Sequence, residues 1–289
     1  MWIFFAFGSA FFAGITAILA KIGVKNVNSN LATAIRTAVI LIFSWLIVFL
    51  SGANRFIGDI SGKALIFLIL SGLCTGGSWL CYFKALQLGD VNKVTPIDKS
   101  SVILTLILSF VILGEKITLL KTAAIILIGA GTFLMITKKN SDDNNDKKSG
   151  KGWIFYGTLS AVFASLTSIL GKLGIVDVDS NLGTAIRTVI VLIMAWLVVF
   201  VTHEQKDIKN IDRKSGIFIT LSGITTGLSG LCYYRALQSG DASVVVPIDK
   251  LSILFTIGFS YFVLKEKLSF KAFCGLIAIV LGTMLMIIG

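Results

Sequence analysis

Charge is what this sequence of 289 residues has least of: Asp, Glu, Lys and Arg together make up 14% of it, against about 25% in soluble domains. So few charges could not wet the surface of a globule, which excludes a soluble enzyme, and the apolar content excludes a disordered chain. Histidine is reduced to His203, beside Glu204 in a charged loop, where it reads as a solvated surface residue. The four cysteines (Cys74, Cys81, Cys232, Cys274) all fall inside apolar runs with no CxxC pair and no neighbouring His. They read as small packed residues; no metal site, disulfide or cofactor is expected. A basic stripe is also missing: 26 Lys and Arg, giving a net charge of +11, lie scattered between apolar runs. That pattern suits anionic lipid headgroups and excludes nucleic acid as a partner. No basic segment precedes Trp2 and no Ala-x-Ala site follows the first run, so that run reads as a spanning helix rather than a removable signal. There is no Walker motif, and no Ser/His or paired-Asp arrangement for an intramembrane enzyme.

What the chain has is apolar length. Hydrophobic residues reach 55% and mean hydropathy is +0.91, so lipid is the solvent for most side chains. Shifted by 151 residues, the sequence lands on itself without a gap: Trp2 on Trp153, Arg36 on Arg187, Pro96 on Pro247. Over residues 2–138, 64 of 137 pairs are identical, which is a duplication. Each copy divides into five apolar helices, expected at about 2–24, 31–50, 64–88, 95–113 and 118–137, then at about 153–175, 182–201, 215–239, 246–264 and 269–288. The runs are too long and too uniformly apolar for barrel strands. The expected organisation is a repeat over 1–137, a polar linker over 138–151 and a second repeat over 152–289. Five is odd, so unless the linker crosses, the second copy enters from the opposite face. The fold class expected is all-α integral membrane, ten transmembrane helices in two inverted five-helix repeats, a build recurrent in secondary transporters.

The motifs within that frame point to a family. Each third helix ends Ala-Leu-Gln-x-Gly-Asp (85–90, 236–241), a proline opens each fourth helix (Pro96, Pro247), and Glu-Lys closes it (Glu115-Lys116, Glu266-Lys267). The chain resembles, over nearly its whole length, the EamA-domain transporters of the drug/metabolite transporter superfamily. The resemblance implies ten helices, a central cavity lined mainly by helices 1, 3 and 4 with their mates 6, 8 and 9, and no ATP-binding domain. It does not name a substrate.

Polar residues form stripes without help from the resemblance. Ser71, Thr75, Ser78 and Tyr82 fall within about 60° on the third helix, and their mates Ser222, Thr226, Ser229 and Tyr233 are identical. Asp98, Ser101, Thr105 and Ser109 on the fourth helix repeat as Asp249, Ser252, Thr256 and Ser260, and the first helix adds Ser9 and Thr16, mirrored by Ser160 and Thr167. Any one of these could bond its own backbone or glue two helices; three stripes in register favour a shared polar cavity. Glycines Gly72, Gly76, Gly223 and Gly227 beside the stripe read as helix packing, with a gating bend as the alternative.

The intramembrane charges are costly, so they should face the cavity, one another or the headgroups. Lys21, Arg36, Lys84, Asp98 and Lys99 sit toward one face, and their mates Lys172, Arg187, Arg235, Asp249 and Lys250 toward the other. Each cluster sums to four cations and one carboxylate, which favours an anionic substrate. Arg36 and Arg187, whose planar forks match a carboxylate or phosphate, are the expected anchors. Asp98 and Asp249 are the candidate proton-coupling groups, because drying a cavity favours the neutral acid. The expected function is a secondary transporter, an exporter, of a small organic metabolite such as an amino acid or carboxylate. The alternative is a flippase for a lipid-linked phosphate or headgroup. The partners expected are a small-molecule substrate and membrane lipid, in a plasma-membrane monomer or homodimer. Orientation is contested: 14 Lys and Arg on the linker face against four opposite put the linker inside, whereas the family resemblance puts the termini inside.

Overall fold

The computed structural model describes residues 2–115, 118–136, 152–265 and 268–288. The linker expected over 138–151 lies outside the described residues, as do Lys116, Glu266 and Lys267 of the motif that closes the fourth helix. The fold is helical throughout: α1 (Trp2–Gly23), α2 (Ser29–Ser51), α3 (Gly62–Leu88), α4 (Val91–Lys99), α5 (Ser101–Leu113) and α6 (Leu119–Ile136) in the first repeat. The second holds α7 (Gly152–Gly174), α8 (Ser180–Val201), α9 (Arg213–Ser239), α10 (Ala242–Lys250), α11 (Ser252–Phe259) and α12 (Phe270–Ile288). Among the described residues nine spans are long and apolar enough to cross a membrane, with α6 a shorter tenth. Short polar side chains set the starts. Asn28 accepts from the Asn30 amide before α2, and Asp179 accepts from the Asn181 and Leu182 amides before α8.

Contacts establish that the repeats are inverted. Lys21, near the end of α1, donates to the carbonyls of Leu86 and Gly89 at the end of α3 (2.6 Å each), so α1 and α3 run parallel. Against α9, α1 runs the other way: Ser9 meets Ser229 (3.2 Å), Thr16 meets Thr225 (2.8 Å), and Gly23 abuts Ile219. Hence α3 and its mate α9 are antiparallel. The mirrored set agrees, with Lys172 donating to Leu237 and Gly240 (2.7 and 2.8 Å) and α7 antiparallel to α3 through Ser78 and Ser160. The two lysines thus cap helix C-termini, where a cation satisfies orphan carbonyls and meets the negative end of the helix dipole.

The repeats interleave rather than sit side by side, with α1 on α9, α3 on α7, α2 on α8 and α6 on α12. One apolar cluster (Ile18, Leu31, Phe83, Leu86, Ile219) gathers toward the face where α1 ends, and its mate (Leu68, Ile175, Leu182, Leu237, Val245) toward the other. The polar residues are left in between. Large side chains such as Phe4, Leu119, Phe262 and Phe270 remain exposed on the outside, as a lipid-facing wall requires.

The fourth span departs from expectation. It begins four residues earlier than read from the sequence, at Val91 and Ala242, and breaks after Lys99 and Lys250. At the break i→i−3 bonds enter the ladder: Ser100 N is shared between Ile97 O (3.1 Å) and Pro96 O (3.0 Å), and Ile103 N meets Ser100 O (3.0 Å), while Leu251 N and Leu254 N meet the carbonyls of Ile248 and Leu251 (3.0 and 2.9 Å). In the second copy α11 also loosens into a π-turn over Ser260–Leu264.

Glycines set the spacing around the two arginines. A Cβ at Gly223 would lie 2.9 Å from the Arg36 carbonyl oxygen and 2.9 Å from Val39 Cβ; one at Gly72 would lie 3.0 Å from the Arg187 carbonyl oxygen. This is the packing reading of those glycines: they bring α9 against α2 and α3 against α8 where the cations sit. Gly223→Ala is expected to cost about 1–3 kcal/mol through overpacking, read as a lower melting temperature of the detergent-purified protein. An unchanged melt would show the α2–α9 contact to be slack.

Candidate functional site

Between the two apolar clusters lies a cavity of about 230 Å³. Of the residues expected from the stripes, Ser9, Thr16, Arg36, Thr75, Ser78, Tyr82, Asp98, Thr167, Arg187, Thr226, Ser229, Tyr233 and Asp249 line it. Three more stand directly behind the wall: Ser71 donates to the Thr167 carbonyl (2.8 Å), Ser160 bonds Asp98, and the Ser222 carbonyl faces Arg36. The cavity is walled by α1, α3, α4 and their mates, and also by α2 and α8, which supply Arg36, Ile40, Thr184, Arg187, Thr188 and Val191.

Eight expected residues lie away from this wall, among them Ser109 and Ser260 of the fourth-helix stripes, both buried. Ser101, Thr105, Ser252 and Thr256 are buried in the packing of α5 and α11, where Thr105 and Thr256 donate to the carbonyls of Ser101 and Ser252 (2.9 and 3.0 Å). The break after Lys99 and Lys250 explains this, because a stripe drawn at 100° per residue assumes one continuous helix. Lys84 and Arg235 reach along their own helices to Gln87 and Gln238 (3.2 and 3.3 Å), away from the cavity; a long side chain near a helix end carries its charge outward.

Lys99 and Lys250, among the intramembrane charges expected toward each face, also line the cavity, whereas the lining residues Trp79, Phe83, Ser168 and Tyr234 escaped the sequence reading. Trp79, Phe83, Ser168 and Tyr234 mark three differences between the copies, where Trp79 stands opposite Gly230, Phe83 opposite Tyr234, and Ala17 opposite Ser168. Tyr233 donates to Ser168 (2.9 Å), so the cavity is twofold in its charges and asymmetric in its rings.

The carboxylates are held across the repeats. The Ser160 hydroxyl donates to Asp98 Oδ1 (2.8 Å) and the Ser9 hydroxyl to Asp249 Oδ1 (2.6 Å). Among the described residues no Lys or Arg nitrogen comes within 4 Å of either. Both arginines are nearly sealed, at 2% exposure for Arg36 and 4% for Arg187. Arg36 Cζ lies 4.1 Å from the Phe83 ring centre and 5.5 Å from that of Trp79, and Arg187 Cζ lies 4.1 Å from Tyr234. Such cation–π contacts offset part of the cost of burying the charge. Arg187 donates from Nε to Ser71 (2.9 Å) and from Nη2 to Thr75 (2.6 Å). Arg36 donates from Nη2 to Thr226 and the Ser222 carbonyl, leaving Nε and Nη1 without a partner among the described residues. Arg36, Lys99, Arg187 and Lys250 against Asp98 and Asp249 give the described lining a formal charge of four minus two, or +2.

The sequence profile of the EamA-like transporter family matches residues 1–137 and again 151–288. The chain belongs to that family. A protein of Sinorhizobium, called an uncharacterized transporter, is 46% identical over 134 residues, which are 46% of this chain and 95% of the relative. That relative is therefore about one repeat long. An uncharacterized transporter of Archaeoglobus fulgidus is 22% identical over 266 residues, 92% of this chain and 90% of its own. A solved crystal structure superposes with a TM-score of 0.74 over 99% of this chain and 97% of its own at 14% identity. That likeness shows the fold alone. The chain is thus a multi-pass membrane protein of a transporter family.

Proposed function

We propose that the protein is a secondary transporter in the plasma membrane that moves a small organic anion, of the amino-acid or other carboxylate class, by alternating access of its inverted halves. The observation that carries this reading is the cavity between the apolar clusters, with a formal charge of +2 and a nearly sealed guanidinium on each side. Buried cations in a membrane interior are costly, and a bound oxyanion supplies the missing counter-charge. Near-identical halves in opposite orientation supply the mechanism, since exchanging their conformations moves the opening from one face to the other. Asp98 and Asp249 are the proton-coupling groups of this scheme, and no catalytic chemistry is assigned to the site.

Purified protein in proteoliposomes should take up radiolabelled anions from a panel of amino acids, dicarboxylates and phosphorylated metabolites, saturably and with counterflow. Uptake of none, together with scrambling of fluorescent phospholipid in the same vesicles, would replace this reading with lipid flipping.

A further inference from the structure

The two halves carry the same clasp but hold it in different states. In one, Arg187 on α8 is engaged by Ser71 and Thr75 of α3, with Nε on the serine hydroxyl at 2.9 Å and Nη2 on the threonine hydroxyl at 2.6 Å. In the other, the mates Arg36, Ser222 and Thr226 are in reach but only half joined. Nη2 donates to the Thr226 hydroxyl and the Ser222 carbonyl, while among the described residues Nε, Nη1 and the Ser222 hydroxyl have no partner. Three polar atoms are thus buried and unpaired beside the cavity, a state that carries the full desolvation penalty unless a ligand relieves it. No such deficit exists at the Ser71 hydroxyl, which is paired.

We infer that in this conformation the substrate's oxyanion is seated on the released arginine, Arg36, with the Ser222 hydroxyl beside it, while Ser71 and Thr75 withhold Arg187, and that the seat passes to Arg187 when the halves exchange. This rests on the anion-transport reading and deepens it: the clasp and the substrate compete for one guanidinium. Arg36 Cζ lies over the Phe83 and Trp79 rings, and the N–H donors left without a partner among the described residues, at Nε and Nη1, are the groups that meet a carboxylate or phosphate oxygen. The Ser222 hydroxyl adds a neutral donor at the same place.

The protein carries its own reporter. Trp79 lies 5.5 Å from Arg36 Cζ and the equivalent position in the other half is Gly230, so the part of the emission that Trp79→Phe removes reads the Arg36 half, apart from Trp2, Trp45, Trp153 and Trp196. Succinate and inorganic phosphate are titrated against the purified full chain while tryptophan emission is followed, with Trp79→Phe assigning the signal. At least one anion should give a saturable change that vanishes in Trp79→Phe and Arg36→Gln. Arg36→Lys, which keeps the charge, should weaken half-saturation at least about tenfold, and it decides the matter if Arg36→Gln does not elute as a folded monodisperse species. The exterior pair Lys84→Gln/Arg235→Gln, whose side chains turn away from the cavity, should keep the change. A response to one anion only upholds the seat and names its oxyanion class. A response that survives Arg36→Gln and Arg36→Lys, one lost in the exterior pair, or none to either anion overturns the inference. Anion uptake by wild-type vesicles without a Trp79 response removes the Arg36 seat and leaves the transport reading standing; a Trp79 response without uptake of any anion does the reverse.

Discussion

Replacing both membrane carboxylates, Asp98→Asn with Asp249→Asn, is expected to abolish accumulation driven by a pH gradient while counterflow exchange of substrate continues. Asparagine has nearly the same shape and keeps an oxygen for the hydroxyls of Ser160 and Ser9, so the joints between the repeats survive. What is lost is the ability to take up and release a proton. Among the described residues each carboxylate is held by a serine hydroxyl, with no Lys or Arg nitrogen within 4 Å, which leaves room for the proposed proton-carrying role. Both aspartates line the cavity, so in the proposed alternating-access scheme they meet water from each face in turn. With one proton moved per substrate and no net charge, each pH unit sustains about tenfold accumulation, the equivalent of 1.36 kcal/mol. The variant should fall to equal concentrations on both sides. Proteoliposomes with an imposed gradient measure this directly, and an unchanged pH dependence in the double variant would remove the aspartates from the coupling step.

The architecture was legible because a duplication is visible at single-residue resolution, and odd span number forces inversion once the copies are recognised. Helix ends were legible to within a few residues: α2 was expected at 31–50 and runs Ser29–Ser51. The fourth span was not. A proline is tolerated in the first turn of a helix, so Pro96 and Pro247 read as helix starts, whereas the helices begin at Val91 and Ala242 and carry the prolines inside them. The break that follows was invisible to a periodicity argument, and that is why Asp98 and Asp249 reach the cavity while Ser101, Thr105, Ser252 and Thr256 turn into the packing.

Part of the site was hidden for a different reason. Trp79, Phe83 and Tyr234 look like core residues, since an aromatic ring on a membrane helix has many apolar places to go. The signal that could have found two of those positions is disagreement between the copies. Where a shared cavity is built by duplication, positions that stay identical keep the common chemistry, and positions such as Trp79 against Gly230 tailor one half. Other residues turned out to brace the frame: the Glu115 carboxylate accepts from the Ala242 and Ser243 amides (2.9 Å each) at the start of α10. That is a helix cap contributed by the other repeat, which explains in physical terms why an acidic residue closes the fourth span.

Sided kinetics should separate the two arginines. Arg36 is the eighth residue of α2, about 10 Å below the face on which that helix begins, and inversion puts Arg187 at the same depth from the other face. If each anchors the anion when its own half is released, Arg36→Lys should raise the half-saturation concentration for substrate presented at one face and Arg187→Lys at the other. The expected size is about 10- to 100-fold at the affected face, since a hydrogen bond to a charged group contributes roughly 1.5–3 kcal/mol. Lysine keeps the positive charge and so leaves long-range attraction intact, but it lacks the flat donor edge and the stacking on Phe83 or Tyr234. Uptake and efflux from vesicles of known orientation provide the two readings. Equal shifts at both faces in each variant would show that the arginines act as one fixed site, and a loss of folded protein without any kinetic change in what remains would make them braces between α2 and α9 and between α8 and α3.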